Sequence, residues 1–117
     1  MTELEFHIRQ TRHLIDNQPE VISISRIELS DDGAGGQAAG EPTDLGPQTV
    51  RIIGILGTPR RMTPDGREVI VNKSVLGMPD LDIAVGDTFP LAGYDYEVVM
   101  VSREPTWRTI AEAAEHA

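Results

Sequence analysis

The chain has 117 residues, 39 % of them hydrophobic, and a net charge of −9 from ten basic and nineteen acidic side chains. That length fits one domain with a single modest core, and aromatics at 4 % leave the core to Val, Ile, Leu and Ala. The acidic balance argues against a dedicated DNA-binding domain, whose affinity rests on Lys and Arg neutralising phosphates, and against anionic membranes. The absence of cysteine excludes disulfides, thiolate metal sites and a Cys nucleophile. No run reaches the roughly 18 apolar residues of a membrane span, and Met1-Thr2-Glu3 does not open like a signal peptide.

Thr2 with Glu5 three residues later forms a capping box, and Leu4, Ile8, Thr11 and Ile15 share a helical face. Alternating Leu4, Phe6 and Ile8 also read as a strand, but Asp16-Asn17-Gln18-Pro19 supplies a stop, so a helix over residues 3–16 is predicted. Val21–Leu29 (VISISRIEL) follows as a β-branched strand. Residues 31–48 hold five Gly and two Pro without apolar periodicity and predict a long flexible loop. Loops of that length are usually functional or disordered, and Gly33, Gly35, Gly36 and Gly40 mark this one as an assembly loop that orders against a partner.

Thr49–Leu56 and Glu68–Leu76 are the next strands, and Pro64-Asp65-Gly66 between them has the residues of a tight turn. Residues 57–67 therefore form an extended hairpin tip carrying Arg60, Arg61 and Arg67, a cluster of cations in an acidic chain. Such a tip is ordinarily just solvated; its functional use would be contact with an acidic partner or a phosphate backbone. Leu81–Val85, Thr88–Leu91 and Tyr96–Val101 complete six strands, with Gly86-Asp87 and Ala92-Gly93 as turns. Trp107, Ile110, Ala111 and Ala114 fall at helical spacing, so the C-terminus is predicted as a short amphipathic helix anchored by Trp107. The predicted fold is mainly β, one domain over 1–117: a small antiparallel barrel or sandwich of about six strands with an N-terminal and a short C-terminal helix.

No catalytic, cofactor or metal set emerges from these residues. His7 and His13 are six apart and do not share a helical face well, with no acidic partner placed beside them. Asp31-Asp32-Gly33 lacks the ligand ladder of a calcium loop. Asp80, Asp82 and Asp87 promise no shared cleft, and Asp87 suits a turn that it hydrogen-bonds locally. The glycines at 33, 35 and 36 have no Lys-Ser or Lys-Thr behind them, so they are no phosphate loop. Phe6, Phe89, Tyr94, Tyr96 and Trp107 are too few to form a base-stacking platform. A chain without a catalytic set is expected not to be an enzyme; the alternative is a small β-barrel hydrolase or lyase gathering Asp80, Asp82 and His13.

Four segments carry a resemblance. Pro47-Gln48-Thr49-Val50-Arg51-Ile52 after the glycine-rich loop, Pro79-Asp80-Leu81-Asp82-Ile83, Val85-Gly86-Asp87-Thr88-Phe89 and Gly93-Tyr94-Asp95-Tyr96-Glu97-Val98 together resemble the head-to-tail connector proteins of long-tailed bacteriophages. These are the head-completion "stopper" or joining proteins of the neck, and the pattern spans most of residues 19–108. The resemblance implies a virion protein assembled in the host cytoplasm as a homo-oligomeric ring. Its expected neighbours are portal or adaptor proteins on one side and tail-terminator or tail proteins on the other. Such a ring seals the portal channel, retains packaged DNA through transient, non-specific contact, and involves no cofactor and no membrane. Adaptor and tail-terminator subunits are rival roles within the same assembly.

Overall fold

The computed structural model describes residues 1–27, 29–31 and 37–116. Its centre is a closed barrel of six antiparallel strands in the order β1-β4-β7-β10-β9-β8. These are β1 (Glu20–Arg26), β4 (Thr43–Gly54), β7 (Lys73–Gly77), β8 (Thr88–Leu91), β9 (Tyr94–Ser102) and β10 (Thr109–His116). Two ribbons lie outside it: β2 (Leu29–Asp31) with β3 (Gln37–Ala39), and β5 (Arg60–Met62) with β6 (Glu68–Ile70). One helix, α1 (Glu3–Asn17), precedes the barrel. Its predicted capping box is present, Thr2 accepting from the Glu5 amide while the Glu5 side chain accepts from the Thr2 amide.

Every barrel strand sends an apolar residue inward. Ile22 and Ile24, Val50, Val75, Phe89, Tyr96 and Val98, and Ala111 and Ala113 form one buried cluster, joined by Leu81 and Ile83. The Phe89 and Tyr96 rings stack with centroids 5.7 Å apart. A barrel of six strands has a narrow interior, and the two alanines of β10 suit it where larger side chains would crowd.

The predicted C-terminal helix is instead strand β10, the correction of greatest consequence. Trp107 lies before it in the β9–β10 connection. β10 pairs with β7 from Thr109↔Gly77 to Ala113↔Lys73 and with β9 from Ile110↔Ser102 to His116↔Asp95, so it is central in the sheet. Ala113 faces the barrel core, whereas Ala114 faces a second cluster with Val71 and Val99 on the outside. Burial on both faces erases the polar–apolar alternation that marks a strand, and the residue spacing left behind mimics a helix.

The predicted strand Leu81–Val85 is a loop with strand-like burial. Leu81 and Ile83 are in the core, but side chains replace the backbone ladder. The Gln48 amide donates to the Asp82 carbonyl (3.0 Å) and accepts from the Asp82 amide (3.1 Å). Arg103 donates to the carbonyls of Pro79 and Ile83 (3.3 and 3.0 Å), and buried Thr109 donates to the Met78 carbonyl at 3.0 Å. The expected strand over 68–76 is divided into β6 and β7, and β4 begins six residues before the expected Thr49, inside the predicted loop.

The described residues of that loop, 31–48, are mostly in paired strands: β2 and β3 form a ribbon with Leu29 opposite Ala39 and Asp31 opposite Gln37. Of the assembly-loop glycines, Gly33, Gly35 and Gly36 lie outside the described residues, and Gly40 is exposed just after β3.

Candidate functional site

The three arginines singled out in the sequence are brought together on the β5–β6 hairpin. Its turn closes as its residues require: the Thr63 amide donates to the Arg67 carbonyl (2.7 Å), and Gly66 sits at φ 87°. The Thr63 hydroxyl, buried beneath the turn, accepts from the Arg67 amide at 3.0 Å and bonds Asp65. That hydroxyl contact first, and the Arg67 guanidinium second, hold the Asp65 carboxyl below its ordinary range.

Across the ribbon Arg60 opposes Ile70, Arg61 opposes Val69 and Met62 opposes Glu68. The period of two sends Val69 onto the barrel, where it packs with Val71, Val99, Ala114 and Ile55. Met62 and Ile70 remain exposed. The hairpin is thus docked on the outer faces of β9 and β10 by a small apolar cluster.

Its arginines do not project as free charges. Arg61 grips Glu112 of β10 with Nε–Oε1 at 2.8 Å and Nη2–Oε2 at 3.3 Å. Arg67 grips Glu97 of β9 through Nη2 at 2.9 and 3.3 Å, while its Nε donates to Asp65 at 2.9 Å. The Glu97 and Glu112 side chains are recessed, 13 % and 19 % exposed, whereas the arginines that cover them are about half exposed at 48 % and 49 %. Among the described residues Arg60 pairs with Glu68 alone, at 3.1 Å, and both of those side chains are more than half exposed.

Trp107 anchors α1, not a C-terminal helix. Its ring stacks on His7 at 4.1 Å and 19° between planes, and His7 also lies 3.7 Å from Glu3. From the other end, Arg51 of β4 donates to the Leu14 carbonyl (3.2 Å), supplying the cation that the last turn of α1 lacks. Thr11 and Ile15 are the buried residues of that helix.

Two of the three aspartates weighed in the sequence, Asp82 and Asp87, meet at Arg26, which no local signal marks. Arg26 at the end of β1 makes a two-point contact with Asp87 (2.9 and 2.8 Å) and reaches Asp82 at 3.0 Å. Asp87 is 1 % exposed and also accepts from the Ala84 amide at 2.7 Å, the local bond expected of a turn aspartate. The cluster lies where β1 and β8 close the barrel through a single residue pair, Ser25 with Thr88. Nothing local announces a partnership across 61 positions.

Asp80 lines a shallow groove with Gln48, Thr49, Met78 and Leu81, which includes neither Asp82 nor His13; Asp82 is engaged by Arg26 and Gln48. Among the described residues no group of three or more His, Cys, Asp or Glu side chains is placed to hold a metal ion. No helix is long and apolar enough to cross a membrane among the described residues. No protein-family model matches the chain, and no curated protein matches it.

Proposed function

We propose that this chain is a structural subunit of a phage neck, assembling with copies of itself into a head-to-tail connector ring that retains packaged DNA and docks the tail. The observation that carries this reading is the β2–β3 ribbon. It leaves the barrel between β1 and β4, and among the described residues neither of its strands pairs with a third. A two-stranded ribbon alone is marginal in water, so this one gains most from a surface supplied by another molecule. A ring of identical subunits offers that surface repeatedly, through a heterologous contact that closes on itself.

The rest of the molecule is consistent with a conduit. A net charge of −9 disfavours tight adhesion of DNA. The arginine hairpin, rather than the ribbon, is the element we assign to the DNA. Portal or adaptor proteins would lie on one face of the ring and tail-terminator or tail proteins on the other.

The test is cryo-electron microscopy of virion necks. The expected result is this barrel repeated around the axis between portal and tail, with residues 57–67 toward the channel. Density placing the chain as the ring directly on the portal, or at the end of the tail tube, would reassign it as adaptor or tail terminator. Its absence from virions would overturn the neck reading altogether.

A further inference from the structure

We propose that Glu97 and Glu112 are built-in competitors of DNA phosphate, masking Arg67 and Arg61 so that the hairpin touches a duplex without gripping it. The inference rests on the reading that this hairpin faces DNA, and it assigns how that contact is regulated.

A guanidinium presents a planar fork of donors that fits a carboxylate or a phosphate equally well, two bonds to two oxygens. In Arg61 the Nε–Nη2 edge is taken by Glu112 at 2.8 and 3.3 Å. In Arg67 one arm holds both oxygens of Glu97 and the other holds Asp65. A phosphate that seeks the Nε–Nη2 edge of either arginine therefore displaces a carboxylate instead of a water shell, and one at the remaining Nη1 meets a guanidinium whose charge is already paired.

Two features make that displacement unfavourable. Glu97 and Glu112 are recessed on adjacent strands, so withdrawing the arginines leaves two poorly solvated negative charges on one sheet face. The same pairs hold the hairpin over Val71, Val99 and Ala114, so a complete exchange also loosens an apolar contact. Arg60 differs: its partner Glu68 is 54 % exposed, and an ion pair between two exposed side chains is weak. The tip thus offers one available cation and keeps two in reserve. DNA sliding past such a tip is met by a weak, readily broken contact, where three open arginines would hold it.

The mask is tested on the isolated full-length protein by fluorescence anisotropy with a labelled duplex of about 30 base pairs at low salt. The double variant Glu97→Gln/Glu112→Gln is expected to bind at least about tenfold tighter than wild type, and its log K against log salt slope should steepen by about two, one unit per arginine released. The control Glu20→Gln/Glu41→Gln removes the same two charges at exposed positions outside the hairpin; it should change binding far less. Adding Arg61→Ala and Arg67→Ala to the unmasked variant should return it to the wild-type level. Equal affinity of the unmasked and control variants overturns the mask.

A second measurement needs no variant. In wild-type protein saturated with duplex, the Arg60 side-chain NMR signals should move while those of Arg61 and Arg67 stay near their free positions; movement of all three alike also overturns the mask. The neck reading is decided separately by virion density, so failure of the mask and failure of that reading are distinguishable.

Discussion

Asp87 ties the end of β1 to the turn that precedes β8. It is buried, faces the Arg26 fork with both oxygens, and caps its own turn through the Ala84 amide. Removing one partner of a buried pair typically costs about 3–5 kcal/mol, and here Arg26 keeps its contact with Asp82, which places the loss at the lower end. Asp87→Ala should therefore lower unfolding free energy by about that amount in urea titrations, and the loss should centre on the β1–β8 seam in hydrogen exchange. Asp87→Asn keeps an acceptor for Ala84 and should cost less. Tyr96 shows the opposite sign of pH dependence from a paired carboxylate. Burial first, then the neighbouring Glu115 charge, pushes its phenol above the ordinary value near 10. The folded state thus favours the protonated form. Tyr96 imposes no penalty below pH 10, and stability falls as pH rises above it while the unfolded chain ionises first. Urea unfolding between pH 8 and 11 should show this decline, and Tyr96→Phe should flatten it.

Element by element, the parts of the fold that the sequence revealed are those whose determinants are local. The α1 cap, the Pro64-Asp65-Gly66 turn and the Ala92-Gly93 turn between β8 and β9 are set by a few adjacent residues, and all lie where expected. The arginine cluster was legible for the same reason, as a property of one hairpin. Its carboxylate partners on β9 and β10 were not, because they depend on which strands lie beneath that hairpin. The expected total of six barrel strands is correct while its membership is not: β10 takes the place assigned to residues 81–85. Both errors have one cause, since burial and hydrogen bonding parted company. Leu81 and Ile83 are buried at a strand's alternation but held by side chains, whereas β10 is bonded as a strand but covered on both faces. Gly77 is where the two segments meet. It is buried on β7 opposite Thr109, and a Cβ there would collide with the Leu81 side chain. Gly77→Ala should cost about 1–3 kcal/mol through overpacking, with Leu81→Ala in the same chain recovering part of it if the collision is the cause. Thermal unfolding of the two single variants and the double variant would give that coupling directly.

For the molecule as a whole, the question is how independent the barrel is of the ribbon that leaves it. The radius of gyration is 15.5 Å, against about 13 Å for a compact chain of this length, so appreciable mass lies away from the centre. The ribbon emerges from neighbouring points: Arg26 and Thr43 are directly paired across β1 and β4. Residues 27–42 can therefore be replaced by a two-residue Asn-Gly turn without stretching either strand, because that turn closes antiparallel partners with the twist they already have. Ile27, Gly40, Glu41 and Pro42 at the two ends of the excised stretch are exposed and lie outside the core cluster, and the Arg26–Asp87 clamp lies outside the stretch. Shortening a closed loop also lowers its entropy cost, by about 0.6 kcal/mol for each halving of length. The excised barrel should then unfold with a midpoint at or slightly above that of the full chain. Its assembly behaviour should separate sharply from its stability. On the proposed neck reading, full-length protein added to extracts that contain connectors lacking this subunit should restore tail joining, and the excised barrel should not. A barrel that unfolds as expected yet still completes particles would remove the ribbon from the assembly role proposed for it, and leave the α1 and hairpin faces as the surfaces open to the proposed ring.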